Sequence, residues 1–275
     1  MQKIFLGPAG VGIGSKDSST LGGLKYVKEI GLNAMEVEFV RGVKMKQELA
    51  EEVGSLAKEL GVKLTVHAPY YINLCSKTKQ IIEASKRMIF DSADRAESMM
   101  ADVVAIHAAY YSGLTPAQAF EKIKEGFEDI FDKMNSNGIK NVKLGIETMG
   151  RWSQFGSLDE AVSLSKSLCM RAIPWIDWSH LYVRGKGSID YEKIFDAIKT
   201  LELDHIYSHF QNVKQNKKGE WVDVHVPING HPPFEQLAEE ILKRKVNITV
   251  ISESPILEQD SLKMKKIFEK IGYKF

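Results

Sequence analysis

The sequence predicts an α/β protein in which eight short strands alternate with eight helices and close into a single (β/α)8 TIM barrel. Short apolar runs with strand-like alternation are each followed by a longer segment with helical periodicity. No linker is long or biased enough in composition to divide the chain, and its 275 residues fall in the size range of one such barrel. We therefore expect one domain over residues 1–275.

The predicted strands are apolar runs that end at a turn residue or at a polar side chain. Their strict alternation with helices requires parallel strands joined by helical crossovers. In chain order the predicted strands are Ile4–Leu6, Asn33–Phe39, Val62–Val66, Val103–Ile106, Val142–Ile146, Ala172–Ile176, His205–Ser208 and Ile248–Ser252.

The predicted helices carry apolar residues at spacings of three and four, so that one face can pack against the barrel. Gly31 and Gly61 follow the first two helices, and Thr115 with Pro116 begins the fourth. In chain order the predicted helices are Leu21–Ile30, Met45–Leu60, Lys77–Met100, Pro116–Asn135, Leu158–Met170, Tyr191–Thr200, Pro233–Lys245 and Ser261–Ile271.

The composition is that of an ordinary globular protein, with 44% hydrophobic and 27% charged residues. The apolar runs are too short to cross a membrane, and the N-terminus lacks a signal-peptide pattern. The formal net charge of +1 gives no overall signature of a nucleic-acid binder, although Lys214, Lys217 and Lys218 cluster in one segment. Cys75 and Cys169 form no CxxC pair. We expect a cytoplasmic protein that does not act at a membrane.

Side chains able to bind a metal follow the predicted strands three to eight. Because the strands of a parallel barrel all end on one face, these side chains should converge on one mouth of the barrel. A single one would be explained as a helix cap or a structural histidine, but six such coincidences are improbable. The six residues are His67, His107, Glu147, Asp177, His209 and Glu253.

Three further residues extend this set. His180 follows Asp177 by three positions in IDWSH, and Asp223 and His225 lie on one side of the extended segment WVDVH. Imidazoles and carboxylates without thiolates favour zinc, manganese or iron, and they leave positions open for water. His180, Asp223 and His225 are enough to bind a further metal.

The chain resembles the endonuclease IV family of apurinic/apyrimidinic (AP) endonucleases, which are (β/α)8 barrels carrying three zinc ions. The resemblance extends from about residue 4 to residue 271 and is specific in VHAPYYINL, LGIET, IDWSH, VDVH and SESP. It implies three metal positions, two of which share Glu147. The implied ligand groups are His67, His107 and Glu147; Glu147, Asp177, His209 and Glu253; and His180, Asp223 and His225.

The resemblance also implies an activity in base excision repair, namely hydrolysis of the phosphodiester 5′ to an abasic site in duplex DNA, which leaves a 3′-hydroxyl. Clustered metals, expected to be up to three zinc ions with manganese or iron at some positions, would activate water and neutralise the phosphoryl oxygens. Glu147 would hold and orient the water, and Glu253 is a second candidate for handling its proton.

The family inserts side chains into DNA around the abasic site. Tyr70 and Tyr71 match the positions of one such loop, and aromatic residues there could stack on bases. Arg41 is the candidate wedge in the loop after the second strand, and Lys214 is a candidate backbone contact. We expect the protein to act as a monomer.

Two alternatives remain open. A sugar isomerase or epimerase of the same barrel superfamily uses four ligands around one metal, here Glu147, Asp177, His209 and Glu253, whereas the other five ligands favour the nuclease. The segments that follow Glu147, His209 and His225 depart from the nuclease pattern, and Glu36 and Glu38 are expected to add negative charge near a DNA backbone. These departures are typical of a homologue that binds abasic DNA but cleaves it poorly.

Overall fold

The computed structural model describes residues 2–275, and within this range eight parallel strands form the predicted barrel. Two further strands form a separate antiparallel hairpin. In chain order the strands are β1 (Ile4–Pro8), β2 (Ala34–Glu38), β3 (Lys63–His67), β4 (Val103–Ile106), β5 (Lys143–Glu147), β6 (Ala172–Asp177), β7 (Ile206–Phe210), β8 (Asn212–Gln215), β9 (Trp221–Val226) and β10 (Ile248–Ser252).

The barrel strands are hydrogen-bonded in the order β1-β10-β7-β6-β5-β4-β3-β2. The gap between β1 and β2 is closed by a parallel bridge from Ala9 to Glu36 and by the amide of Gly10, which donates to the carbonyl of Glu36 at 3.0 Å. A side chain at Gly7 would place its Cβ 1.8 Å from the carbonyl oxygen of Ala34. Glycine is therefore required for the close approach of these two strands.

Helices cover the outside of the barrel. Within residues 2–275 they are α1 (Thr20–Glu29), α2 (Gln47–Leu60), α3 (Lys79–Ser98), α4 (Pro116–Ser136), α5 (Leu158–Ser167), α6 (Trp178–Arg184), α7 (Tyr191–Lys199), α8 (Phe234–Arg244) and α9 (Glu258–Lys270). None of them is long and apolar enough to cross a lipid bilayer.

The eight strands and the fold class are confirmed, but the strict alternation of single strands and single helices is wrong at two places. The short helix α6 directly follows β6, and the hairpin β8–β9 stands between β7 and α8. Helix α6 is only seven residues long, too short to show a periodicity, and β9 is exposed or half-buried along its whole length. Helix α5 ends before its predicted boundary because Cys169 and Met170 adopt positive φ angles of 51° and 61°.

The inside of the barrel is apolar at its base. Inward side chains of β2, β4, β6, β7 and β10 form a cluster beneath the mouth: Ala34, Val103, Ala105, Ile173, Trp175, Tyr207 and Ile251. Because alternate residues of a strand point to the same side, the inward positions two residues further along these strands lie one layer higher. Those positions are occupied by Glu36 and by four candidate ligands, His107, Asp177, His209 and Glu253, which therefore lie directly above the apolar cluster.

Candidate metal centre

The first ligand group lies at the ends of β3, β4 and β5. Glu147 Oε2 is 3.2 Å from His67 Nε2 and 3.1 Å from His107 Nε2. One ligand atom from each residue can be chosen so that all lie within 4.8 Å of one another. His67 and Glu147 are buried and His107 is partly exposed, so this group is reached from the mouth of the barrel.

The second group uses the other oxygen of Glu147 and the ends of β6, β7 and β10. His209 Nδ1 lies 3.4 Å from Glu147 Oε1, 3.5 Å from Glu253 Oε2 and 3.9 Å from Asp177 Oδ2. The four residues again offer atoms within 4.8 Å of one another. Glu147 therefore belongs to two groups, with one carboxylate oxygen facing each.

The third group joins α6 to the hairpin. Asp223 Oδ1 lies 3.2 Å from His180 Nε2 and 3.3 Å from His225 Nε2. Asp177 caps α6 by accepting a 2.6 Å hydrogen bond from the amide of His180, which fixes this histidine at the start of the helix. Asp223 and His225 alternate along β9, as the sequence predicts.

Four of the histidines are fixed by a hydrogen bond at one ring nitrogen, which leaves the other nitrogen facing a ligand group. The Nδ1 atoms of His67, His180 and His225 lie 2.6, 3.0 and 3.1 Å from the carbonyl oxygens of Ala68, Thr148 and Glu253. The Nε2 atom of His209 lies 2.8 Å from Glu36 Oε1. This second contact sets the tautomer and orientation of a metal-binding histidine, so the residues present fit divalent cations.

The charges of the three groups are closely coupled. Burial by itself would raise the pKa of Glu147, but the positive charges of His107 and His209 hold that pKa well below its usual value. Burial would likewise lower the pKa of His225, yet the hydrogen bond to Asp223 and the charges of Glu253 and Asp177 raise it to about 9. This site, rich in carboxylates, therefore attracts positive charge.

Glu36 and Glu38 lie at different depths in the barrel. Glu36 is fully buried beneath His209 and accepts a further 3.0 Å hydrogen bond from Thr65 Oγ1, so the expectation that it lies near a DNA backbone is wrong. Glu38 stands two residues higher, where its Oε2 accepts a hydrogen bond from Tyr70 Oη at 3.2 Å. Burial raises the pKa of Glu38 to about 8, against the opposing charge of His67.

The residues predicted to contact DNA are on the surface. Tyr71 is 66% exposed, and Tyr70 is partly exposed with its ring 4.7 Å from that of His67. Arg41 follows β2 and Lys214 lies on β8, and both are exposed. Their contacts with DNA stay a prediction.

Two residues beside the third group were not among the predicted site residues. Arg151 Nε lies 3.7 Å from Asp223 Oδ2, and Trp152 is 66% exposed in the same loop after β5. The sequence signal for these two residues is a basic side chain followed by tryptophan, directly after the segment LGIETMG that contains Glu147.

Histidines and carboxylates stand at the ends of six strands of this (β/α)8 barrel, on the face where the functional residues of such barrels lie. The family model described as the xylose isomerase-like TIM barrel matches residues 24–269, and the chain belongs to this family.

Among curated proteins, an uncharacterized protein of Methanocaldococcus jannaschii is 29% identical over 98% of each chain. A probable endonuclease 4 of Sulfurihydrogenibium sp. is 28% identical over 52% of this chain and 50% of its own length, so this chain spans about half of that relative. The predicted resemblance to the endonuclease IV family is thereby confirmed.

Two solved structures share the fold. The endonuclease IV of Thermus thermophilus superposes with a TM-score of 0.72 at 18% identity, covering 98% of both chains. A D-tagatose 3-epimerase-like protein also gives a TM-score of 0.72, at 17% identity, covering 98% of this chain and 96% of its own. The likeness in fold therefore does not separate a nuclease from an epimerase.

Proposed function

We propose that the protein is a metal-dependent phosphodiesterase that incises duplex DNA on the 5′ side of abasic sites in base excision repair. The observation that carries this proposal is the third ligand group, His180, Asp223 and His225, which lies beside the two groups that share Glu147. An isomerase with a single metal has no evident use for this group. The proposed cofactors are up to three divalent cations, zinc first, with manganese or iron at some positions.

The reaction is the attack of a water oxygen on phosphorus with cleavage of the bond to the 3′-oxygen. Divalent cations at the three groups would make the water more acidic and neutralise the charge that builds up on the phosphoryl oxygens. Glu147 faces both of its groups at once, through Oε2 to His67 and through Oε1 to His209. Its proposed role is to orient the attacking water.

Glu253 is the proposed acceptor of the proton that the water loses. Its Oε2 lies 3.5 Å from His209 Nδ1, and its side chain is 8% exposed, so it lies at the boundary between the ligand group and the mouth. The 3′-oxygen leaves with a proton from solvent, which gives a 3′-hydroxyl on one side and a 5′-phosphate on the other. No covalent intermediate with the protein is required.

The partner in this proposal is duplex DNA containing an abasic site. Tyr70 stands beside His67 of the first ligand group, and the exposed Tyr71 follows it, so that an aromatic ring can stack on a base next to the lesion. Arg41 and Lys214 supply positive charge for the backbone. We further propose that the chain acts as a single-domain monomer in the cytoplasm.

A sugar isomerase or epimerase is the second candidate. It is favoured by the group of Glu147, Asp177, His209 and Glu253, which by itself is sufficient to hold one cation next to a polyol substrate. The buried carboxyl of Glu38 would suit a substrate hydroxyl better than a phosphate. In this case the third group would remain without a catalytic role.

The test is incubation of the metal-loaded protein with a duplex that carries one tetrahydrofuran abasic analogue. We expect a single incision 5′ to the analogue that leaves an end which a DNA polymerase can extend, while an undamaged duplex of the same sequence stays intact. A panel of ketoses and aldoses is assayed in parallel. Interconversion of a sugar without incision of the duplex would overturn the proposal in favour of the epimerase.

A further inference from the structure

A groove of about 720 Å³ runs from the third ligand group along the hairpin. Its walls are the loop after β5, helix α6 with the residues that follow it, and strand β9. Asp223, a member of the third group, lines one end, and Arg151, Trp152, Lys186 and Trp221 line the rest. We refer to it below as the Trp152 groove.

The Trp152 groove is preorganised by Arg184, which holds the loop after β5. Its Nη1 donates to the carbonyl oxygens of Met149, Arg151 and Gln154 at 3.1, 3.3 and 3.3 Å. Its guanidinium carbon also lies 5.0 Å from the centre of the Trp152 ring. Trp152 is thus supported from one side, while two-thirds of its surface stays open to solvent.

Cationic side chains lie near this open aromatic ring, and the groove is also lined by the acidic Glu220 and Asp223. Arg151 has a side chain that is 58% exposed, and it reaches toward Asp223 at 3.7 Å. Lys186 lines the same groove after α6, and the exposed Lys217 and Lys218 sit on the turn of the hairpin. An aromatic platform flanked by cations is the arrangement that binds a nucleic-acid strand, because bases stack on the ring and phosphates contact the charges.

We propose that the Trp152 groove is a nucleotide subsite, in which a base of the DNA strand next to the scissile phosphodiester stacks on Trp152 and its phosphate contacts Arg151 and Lys186. This inference rests on the proposed phosphodiesterase function and extends it. The groove leads directly to Asp223, so a strand that lies in it delivers its phosphodiester to the third ligand group. A sugar alone would need the ring but not the cations around it.

The subsite is tested through the KM and kcat for incision of the abasic duplex. Trp152→Ala should raise KM about 10-fold or more with a smaller change in kcat, because base stacking is lost while the ligand groups stay intact. Trp152→Phe should recover most of the affinity. Arg151→Ala should raise KM and also reduce its dependence on salt, because one phosphate contact is removed.

A matched control is Lys140→Ala, which removes an exposed cation just before β5, at the opposite end of the barrel from the mouth. It should leave KM and its salt dependence unchanged. Metal content, measured in each variant, should equal that of the unaltered protein.

Three results would overturn the assignment, and they have different meanings. Unchanged KM in Trp152→Ala and Arg151→Ala, with normal incision, would refute the nucleotide subsite and leave the phosphodiesterase function standing. Absence of any binding or incision by the unaltered protein would refute both. A raised KM for a sugar substrate in Trp152→Ala, without activity on DNA, would assign the groove to a carbohydrate instead.

Discussion

Glu36 Oε1 lies 2.8 Å from Nε2 of His209, and both side chains are fully buried in the middle of the barrel. The other oxygen of Glu36 is held by the hydroxyl of Thr65 at 3.0 Å. The carboxylate therefore fixes the imidazole so that Nδ1 faces Glu147, Asp177 and Glu253. A carboxylate behind a metal-binding histidine orients the ring and raises its basicity.

Glu36→Ala should weaken metal binding at the second ligand group by about 10- to 100-fold, because His209 loses the partner that orients it. Glu36→Gln should fall between Ala and the unaltered protein, since the amide oxygen can still accept the hydrogen bond. Metal content after dialysis against a graded chelator measures the effect. Glu29→Gln on the surface of α1 is the control, and equal metal retention in all four proteins would show that Glu36 has no such role.

Glu147→Gln should lower the rate of incision by about 10²-fold or more, because the group that orients the attacking water is lost. The amide cannot offer two charged oxygens to two ligand groups, so more than one metal per chain should be lost. Circular dichroism should show the fold retained, because the apolar cluster below the site is unchanged. Undiminished incision would refute the shared role of Glu147.

His225→Asn should remove the metal of the third group and leave the others in place. The loss should equal one metal per chain, because His225 belongs to the third group and to neither of the other two. Elemental analysis against protein concentration measures it, with Lys217→Ala in the turn of the same hairpin as the control. If the unaltered protein already holds a single metal that His225→Asn retains, the site is of the isomerase type.

Eight of the nine candidate ligands follow a structural rule that can be read from the sequence. Six of them stand directly after apolar strands whose ends must meet on one face, and alternation along β9 places Asp223 and His225 together. The hydrogen bond between Glu36 and His209 joins residues 173 positions apart across the barrel. Sequence periodicity shows that a side chain points inward but not which opposing side chain it meets.

The loop after β5 was equally hard to anticipate. Its conformation depends on Arg184, which lies on α6 and donates to three of the loop's carbonyl oxygens from a distance of 30 to 35 residues along the chain. Helix α6 itself is too short for its periodicity to be read from sequence. Local pattern therefore predicts the candidate ligands, whereas the residues that wall the site depend on the tertiary structure.

A histidine outside the site, His205, should lower the stability of the protein at acidic pH. His205 precedes β7 at the base of the barrel, with its Nε2 2.8 Å from Thr249 Oγ1. Burial, with the charge of Lys63, lowers the pKa of His205 to about 4, from about 6.5 in an unfolded chain. Between these two values the unfolded chain binds a proton that the native protein does not, so the free energy of unfolding falls as the pH drops from about 6.5 to about 4. Above about 6.5 this effect is absent.

Because glutamine does not titrate, His205→Gln should show a smaller drop in Tm between pH 7 and pH 5 than the unaltered protein, measured by thermal unfolding in the same buffers. An equal drop in both proteins would mean that the native fold does not lower the pKa of His205.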